Sequence, residues 1–295
     1  MKEESDQFAL FLMNQKGFHV LQSIVEHDYQ ANISFVVTGR DKNVEDDFSD
    51  KIETFCQQNQ IQVFSRNEQL PEHGGYQLAI GWRWLIPQPE KLIVIHDSLL
   101  PRYRGFAPLV NCLINGETKI GATAIFANDQ VDQGPIIAQA SREIDYPIKI
   151  STAIDYMSEI YWELTHEIFS EVRSGNTLVA TPQNETDASF SLWLDDEDYQ
   201  IDWNWNATSI QRFVDAKGSP YRGASTRLEE KTLRVHDVTV LPDQCIENRH
   251  VGKVMNVREN CPVVVCGSGL LQINELTDDE GNNALPLKRF RSRFR

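Results

Sequence analysis

Apolar runs and amphipathic stretches take turns along the first third of the chain. Residues 8–13 (Phe-Ala-Leu-Phe-Leu-Met) are apolar throughout, which predicts a strand buried on both faces, with a helix over 17–25 behind it. A second strand is predicted at 33–38, closed by Gly39, then a helix over 47–58 and short strands at 61–64, 78–80 and 92–95. Strands alternating with helices imply an α/β domain whose mostly parallel sheet carries helices on both faces. Such sheets bind ligands beyond the carboxyl ends of their strands. A longer helix is predicted over 152–172. Thr152 and Asp155 have capping-box spacing, Ile154, Met157, Ile160, Tyr161, Leu164, Ile168 and Val172 recur at helical spacing, and Gly175 stops it. The polar stretch 181–187 reads as a linker. Past Leu228 the pattern changes to short strands at 232–235, 251–257, 262–266 and 270–273, which predicts a small β domain, a barrel. The division falls near residue 190, giving domains 1–190 and 191–295.

The chain has 295 residues and a net charge of −15. Proteins that grip a nucleic-acid backbone usually present a basic field, so bulk nucleic acid is not an expected partner. The short basic end (Lys288, Arg289, Arg291, Arg293, Arg295) reads as a solvated tail. Five cysteines (Cys56, Cys112, Cys245, Cys261, Cys266) lie scattered without metal-ligand spacing, as reduced thiols of a cytoplasmic protein do. The polar N-terminus is unlike a signal peptide, and no apolar run approaches the roughly 20 residues of a membrane helix. A soluble cytoplasmic protein without membrane contact or metal is expected.

Candidate chemistry concentrates between residues 93 and 145. His96 follows an apolar run, where a parallel strand should emerge at the ligand edge of the sheet. Pro101, Gly105 and Pro108 give the following loop a defined shape. Asp132 lies in a second loop, between the apolar runs 120–126 and 135–138, and two parallel strands would bring both loops to one edge. A carboxylate beside a histidine fixes its tautomer and stabilises the imidazolium. Each residue alone is weak evidence, since a lone histidine at a strand end is more often structural.

The order of four submotifs is more specific: His96-x-Ser-Leu-Leu-Pro101, Arg104-Gly-x-x-Pro108, Asn115-Gly-Glu117 and Val131-Asp-x-Gly-Pro-Ile-Ile137. Together they resemble the formyltetrahydrofolate-dependent formyltransferase family, densely over roughly 78–144. Asp198-Tyr-Gln-Ile-Asp-Trp203 and Pro220-Tyr-Arg-Gly-Ala224 resemble the junction to the C-terminal domain of larger members. The stretch 191–199 is similar to sugar N-formyltransferases of the pseudaminic acid pathway type. The resemblance implies a Rossmann-like domain followed by an OB-like barrel. One position departs: the family's Asn two residues before the histidine is Val94, which cannot donate a hydrogen bond to an oxyanion.

The resemblance further implies N10-formyltetrahydrofolate as formyl donor, no metal, and His96 and Asp132 as the catalytic pair acting on an attacking amine. It implies a folate pocket lined by Gly81, Trp82, Arg83, Trp84, Leu85 and Ile86, bordered by Asp129, Gln130 and Val131. Asn14 and Lys16 face the ligand edge on topological grounds, and Ser98, Arg102, Arg104 and Gly105 are candidates for the acceptor. The loop 39–47 is mostly acidic, which disfavours tRNA; Arg40, Lys42 or Arg102 would hold the pyrophosphate of a sugar nucleotide. An amino-sugar nucleotide is therefore the expected acceptor, with homodimerisation through the β domain common in similar sugar enzymes. The alternatives are methionyl-tRNA formyltransferase and, because of Val94, a catalytically lapsed folate- or nucleotide-binding homologue.

Overall fold

The structure is a computed structural model that describes residues 6–41, 44, 46–86 and 91–295; Lys42 lies outside the described residues. Its elements run in chain order as β1 (Phe8–Leu12), α1 (Asn14–Glu26), β2 (Ile33–Thr38), α2 (Ser49–Gln58), β3 (Val63–Ser65), β4 (Tyr76–Ile80), β5 (Leu92–His96), β6 (Arg104–Gly105), α3 (Pro108–Asn115), β7 (Lys119–Phe126), β8 (Ile136–Glu143), α4 (Ile150–Arg173), β9 (Phe190–Ser191), α5 (Ala207–Lys217), β10 (Ala224–Leu228), β11 (Lys231–Leu241), β12 (Val254–Arg258), β13 (Cys261–Val265) and β14 (Leu270–Asp278). The chain divides into two compact units. One comprises Met1–Leu109, Lys119–Glu143 and Ala153–Leu192; the other comprises Val110–Thr118, Ile144–Thr152 and Trp193–Arg295.

The first unit is built on a seven-stranded sheet in the order β3-β2-β1-β4-β5-β7-β8. Its first five strands are parallel, and β1 is buried at every position, the reason its sequence is apolar without alternation. The order reverses between β1 and β4, the switch point where a crevice opens beyond the strand ends. Residues following these two strands meet there: Met13 donates its N–H to the Ile80 carbonyl at 3.1 Å. A Cβ on Gly81 would lie 3.2 Å from the Met13 carbonyl oxygen and 3.5 Å from the Asn14 amide nitrogen.

Three expectations are corrected here. The strand leading to Asp132 runs antiparallel to β5, pairing Ile93 with Phe126 and His96 with Thr123. Helix α4 begins at Ile150, so Thr152 lies inside it rather than at its cap, and Asp155 accepts a hydrogen bond from Gln15 at 2.6 Å. The stretch 181–187 is mostly exposed but tied down rather than a free linker: Thr181 bridges Ile136, and the Gln183 amide donates to the carbonyls of Asp132 and Gly134, both at 2.8 Å.

The second unit is an antiparallel five-stranded sheet, β10-β11-β14-β13-β12, with α5 packed against β10 and β11. Its core gathers Trp203, Phe213, Val235, Val264, Leu271, Ile273 and Phe294. The two edge strands do not end free. Arg227 and Arg295 exchange backbone hydrogen bonds at 2.7 and 2.9 Å beside β10, while Val254 donates to the Ser292 carbonyl at 3.0 Å and Phe294 to Gly252 at 2.8 Å. The segment 292–295 thus bridges both edges and closes the sheet into a barrel, satisfying backbone groups that an open edge would expose. The last four residues are therefore a stave: Phe294 is buried while Arg293 and Arg295 on either side of it are exposed.

Lys217 ends α5 with its side chain buried. Its ammonium donates to the Asp198 carbonyl and lies 4.2 and 4.5 Å from the ring centroids of Phe213 and Tyr199. Burial pulls its pKa down to about 8, with Asp198 opposing. The unfolded chain therefore holds more protons between pH 8 and the ordinary lysine range, and this residue's contribution to stability rises with pH across that window. Lys217→Met should be more stable than wild type at pH 7 by about 1–3 kcal/mol, and that advantage should shrink from pH 8 upward. Comparing the two chains also cancels the buried Cys56 and Cys266 thiols, which burial raises to about 12 and which act in the opposite direction above pH 9. Urea titrations at pH 7 and 9.5 give the comparison, and a constant difference would refute the assignment.

Candidate functional site

His96 closes β5 at the carboxyl edge of the sheet with its side chain 8% exposed, and Asp132 approaches it from the β7–β8 connection. His96 Nδ1 stands 3.5 Å from Asp132 Oδ1, within electrostatic reach but longer than a hydrogen bond. The other ring nitrogen, Nε2, is 2.8 Å from the carbonyl oxygen of Tyr103. A carbonyl only accepts, so Nε2 carries a proton, and Nδ1 is the nitrogen left to gain or lose one. The expectation that the carboxylate fixes the tautomer is therefore corrected: the backbone of Tyr103 does so. Asp132, held with φ of 57°, directs its second oxygen to the Gly105 N–H at 2.8 Å. Gly105 has φ of 103°, and a Cβ there would lie 2.4 Å from the Ser191 carbonyl oxygen, so only glycine fits between Asp132 and β9.

The loop after His96 is shaped by buried hydrogen bonds. Thr123 accepts from the Leu100 N–H at 3.0 Å and donates to the Ser98 carbonyl at 2.7 Å, while the Gln139 amide donates to Thr123 and to the Leu100 carbonyl, both at 2.8 Å. Ser98 is fully buried and spends its hydroxyl proton on the Arg102 carbonyl at 2.7 Å. Arg104 is also fully buried; its guanidinium meets Glu185 through two 2.8 Å hydrogen bonds and Gln183 at 2.7 and 3.1 Å. The side chains of Ser98 and Arg104 thus belong to the scaffold rather than to the acceptor side of the site. Arg102 is exposed, with its guanidinium 5.1 Å from the Tyr103 ring centroid.

Around the switch point, Trp82 packs edge-on against Phe11 and Trp84, and Arg66 stacks 4.1 Å over Trp84. Ile86, Trp82 and Val94 pack on the cluster of Ala9, Phe11, Phe35, Val37 and Ala79. Val94 is half-buried apolar filling and adds no donor. Arg83 pairs with Asp41 at 2.6 Å and Arg40 with Asp50. Leu85 is fully exposed, and Asp129, Gln130 and Val131 at the tip of the second loop are exposed as well. Near the switch point two buried polar atoms have no partner among the described residues, the Asn14 Oδ1 acceptor and the Trp82 Nε1 donor. A flat heterocycle bearing both donors and acceptors suits such a crevice, so the residues present fit a pterin. Among the described residues, no group of three potential ligands is arranged to hold a metal, and no helix is long and apolar enough to cross a membrane.

Sequence reasoning missed Asp97, Tyr161, Gln183 and Glu185. Tyr161 was hidden within an apolar helical stripe, and the other three had no pattern to distinguish them from turn residues.

A mostly parallel α/β sheet with a His–Asp pair at its carboxyl edge, followed by an antiparallel barrel, defines a two-part α/β-plus-barrel architecture. The chain belongs to the formyl transferase family: its residues 73–172 match the formyl transferase domain and residues 194–295 the formyl transferase C-terminal domain. Methionyl-tRNA formyltransferase of Geobacter sulfurreducens is 34% identical over 204 residues, covering 69% of this chain and 62% of that protein. The Geobacter metallireducens enzyme is 36% identical over 185 residues, 62% of this chain and 57% of the relative. The alignments thus span less than two thirds of these relatives' length. Among solved structures, the N-formyltransferase from Helicobacter canadensis in complex with folinic acid and dTDP-3-aminofucose superposes with a TM-score of 0.69 at 15% identity, covering 90% of this chain and 98% of that one. HypX from Aquifex aeolicus gives 0.61 at 20% identity over 92% of this chain and 45% of its own. At these identities the likeness is one of fold.

Proposed function

We propose that this chain is an N-formyltransferase that moves a formyl group from N10-formyltetrahydrofolate to the amine of a nucleotide-linked amino sugar. The observation that carries the proposal is the meeting of His96 Nδ1 and Asp132 Oδ1 at 3.5 Å at the end of β5. The folate supplies an activated formyl carbon when bound. The neutral His96 ring, protonated at Nε2, presents a lone pair at Nδ1 on the side of the Asp132 carboxylate. An amine beside them meets two acceptors for the proton it loses on attacking the formyl carbon; Asp132 stabilises the imidazolium once Nδ1 is protonated, and His96 would return that proton to the departing tetrahydrofolate nitrogen as its bond to the formyl carbon breaks. The Gly105 N–H holds Asp132 in place, and Tyr103 holds the ring. Gly81, Trp82, Arg83, Trp84, Leu85 and Ile86, with Asp129, Gln130 and Val131, would border the donor; Asn14 and Arg102 would face the acceptor.

Charge favours a small acceptor over tRNA. The net charge is −15, and Arg40 and Arg83 at this edge are already paired with Asp50 and Asp41. Purified protein should release tetrahydrofolate from 10-formyltetrahydrofolate only when an amino-sugar nucleotide is present, and mass spectrometry should find the formamide. Formylation of methionyl-tRNA alone, or folate binding without turnover on any amine, would overturn this reading.

A further inference from the structure

Asp97, the residue directly after His96, is tied on both carboxylate oxygens. Oδ2 is ion-paired with the Lys16 ammonium, and Oδ1 accepts from the Tyr161 hydroxyl at 2.6 Å. The same hydroxyl lies 2.9 Å from the Ile95 carbonyl, so one buried phenol contacts the residues on either side of His96. The Lys16 side chain is 12% exposed, Tyr161 is fully buried, and the ammonium sits 5.1 Å from the Tyr161 ring centroid.

Packing alone does not call for this arrangement. Lys16 stands in the first turn of α1, the turn where the helix dipole least favours a cation. Interior ion pairs are commonly replaceable by apolar groups without loss of stability. Burial on its own would raise the Asp97 carboxyl; Lys16, then Tyr161, then His96 outweigh it and hold the group below the ordinary carboxylate range.

We propose that Lys16, Asp97 and Tyr161 form a positioning triad that brackets His96 and balances the charge beside it, an inference that rests on His96 being the proton acceptor of the proposed transfer. Aim follows from the bracket: the Tyr161 hydroxyl donates its one proton to Asp97 at 2.6 Å and packs 2.9 Å from the Ile95 carbonyl, which restrains the strand end on both sides of His96, and a misplacement near 1 Å costs about 10²-fold in rate. Charge balance follows from the ion pair. The charged or titratable groups gathered around His96 are Asp132 from the β7–β8 loop, Asp97 on its own strand end, Lys16 from α1, Tyr161 from α4 and Arg104 from β6. Lys16 neutralises Asp97, and Arg104 is bonded to Glu185 while acting on Asp132 only through space, so the carboxylate facing the ring without an ion-paired cation among the described residues is that of Asp132.

The test reads the imidazole titration of His96 by NMR in the full chain, assigned with His96→Gln, and needs no substrate. Lys16→Met leaves Asp97 unpaired beside the ring and should raise the midpoint by about one pH unit. Asp97→Asn leaves the ammonium unpaired and should lower it by a similar amount, and the double variant should return close to wild type. Lys16→Arg should keep the wild-type midpoint. Midpoints that stay fixed, or that move the same way in both single variants, would overturn the proposal. With an active acceptor in hand, Tyr161→Phe should lower kcat about tenfold with KM little changed, and an unaltered kcat would overturn the positioning role. Absence of turnover in wild type would instead defeat the formyl-transfer reading, while the NMR series still decides the charge coupling.

Discussion

His96→Ala is expected to lower kcat for formyl transfer by about 10²–10⁴-fold, the usual worth of a positioned proton acceptor, with KM for the folate donor changed only a few-fold. Asp132→Asn should fall in the same range, because the amide keeps the Gly105 contact through its oxygen but cannot stabilise an imidazolium. The double variant should be scarcely worse than either single one, since the two groups act as a unit. Folding should survive both changes. Loss of the 2.8 Å hydrogen bond from His96 Nε2 to the Tyr103 carbonyl costs about 1 kcal/mol, which a thermal melt would register as a small shift. Steady-state rates with 10-formyltetrahydrofolate provide the measurement. A His96→Ala protein retaining a tenth of the wild-type rate would remove His96 from the chemistry.

The second large effect is on stability. Phe294 is buried against Trp203, ring centroids 5.8 Å apart, inside the barrel core. Phe294→Ala should cost about 3–5 kcal/mol, the range for emptying an aromatic core site. For a unit of about a hundred residues that is a loss of roughly 15 °C or more in Tm. Arg291→Ala, three residues away and exposed, is the control and should change stability by less than about 0.5 kcal/mol. Differential scanning calorimetry on the full chain separates the two. Equal melting of both variants with wild type would restore the end of the chain to a solvated tail.

Much of the architecture was legible along the chain. The run at 8–13 announced a strand buried on both faces because no polar residue interrupts it, and β2 falls where the 33–38 run places it. The apolar stripe from Ile154 to Val172 announced α4 because side chains three and four apart share a face. His96 and Asp132 were nominated by the motif order, and the structure brings them together. Their meeting was not legible by the expected route. With β7 antiparallel to β5, the Asp132 loop leaves the sheet beside the start of β5 and must return to reach His96.

What the residues determined by themselves was local: which stretches are apolar enough to be buried, with what period, and which side chains can carry a proton. Tertiary structure alone decided that Tyr103 sets the His96 tautomer, that Gln183 and Glu185 anchor the loops around Asp132, that Tyr161 brackets His96, and that the last four residues close a barrel. The reason is common to all four. Each depends on a hydrogen bond or pairing between partners far apart in the chain, or on a backbone carbonyl that every residue carries, and neither leaves a mark in the pattern of side chains.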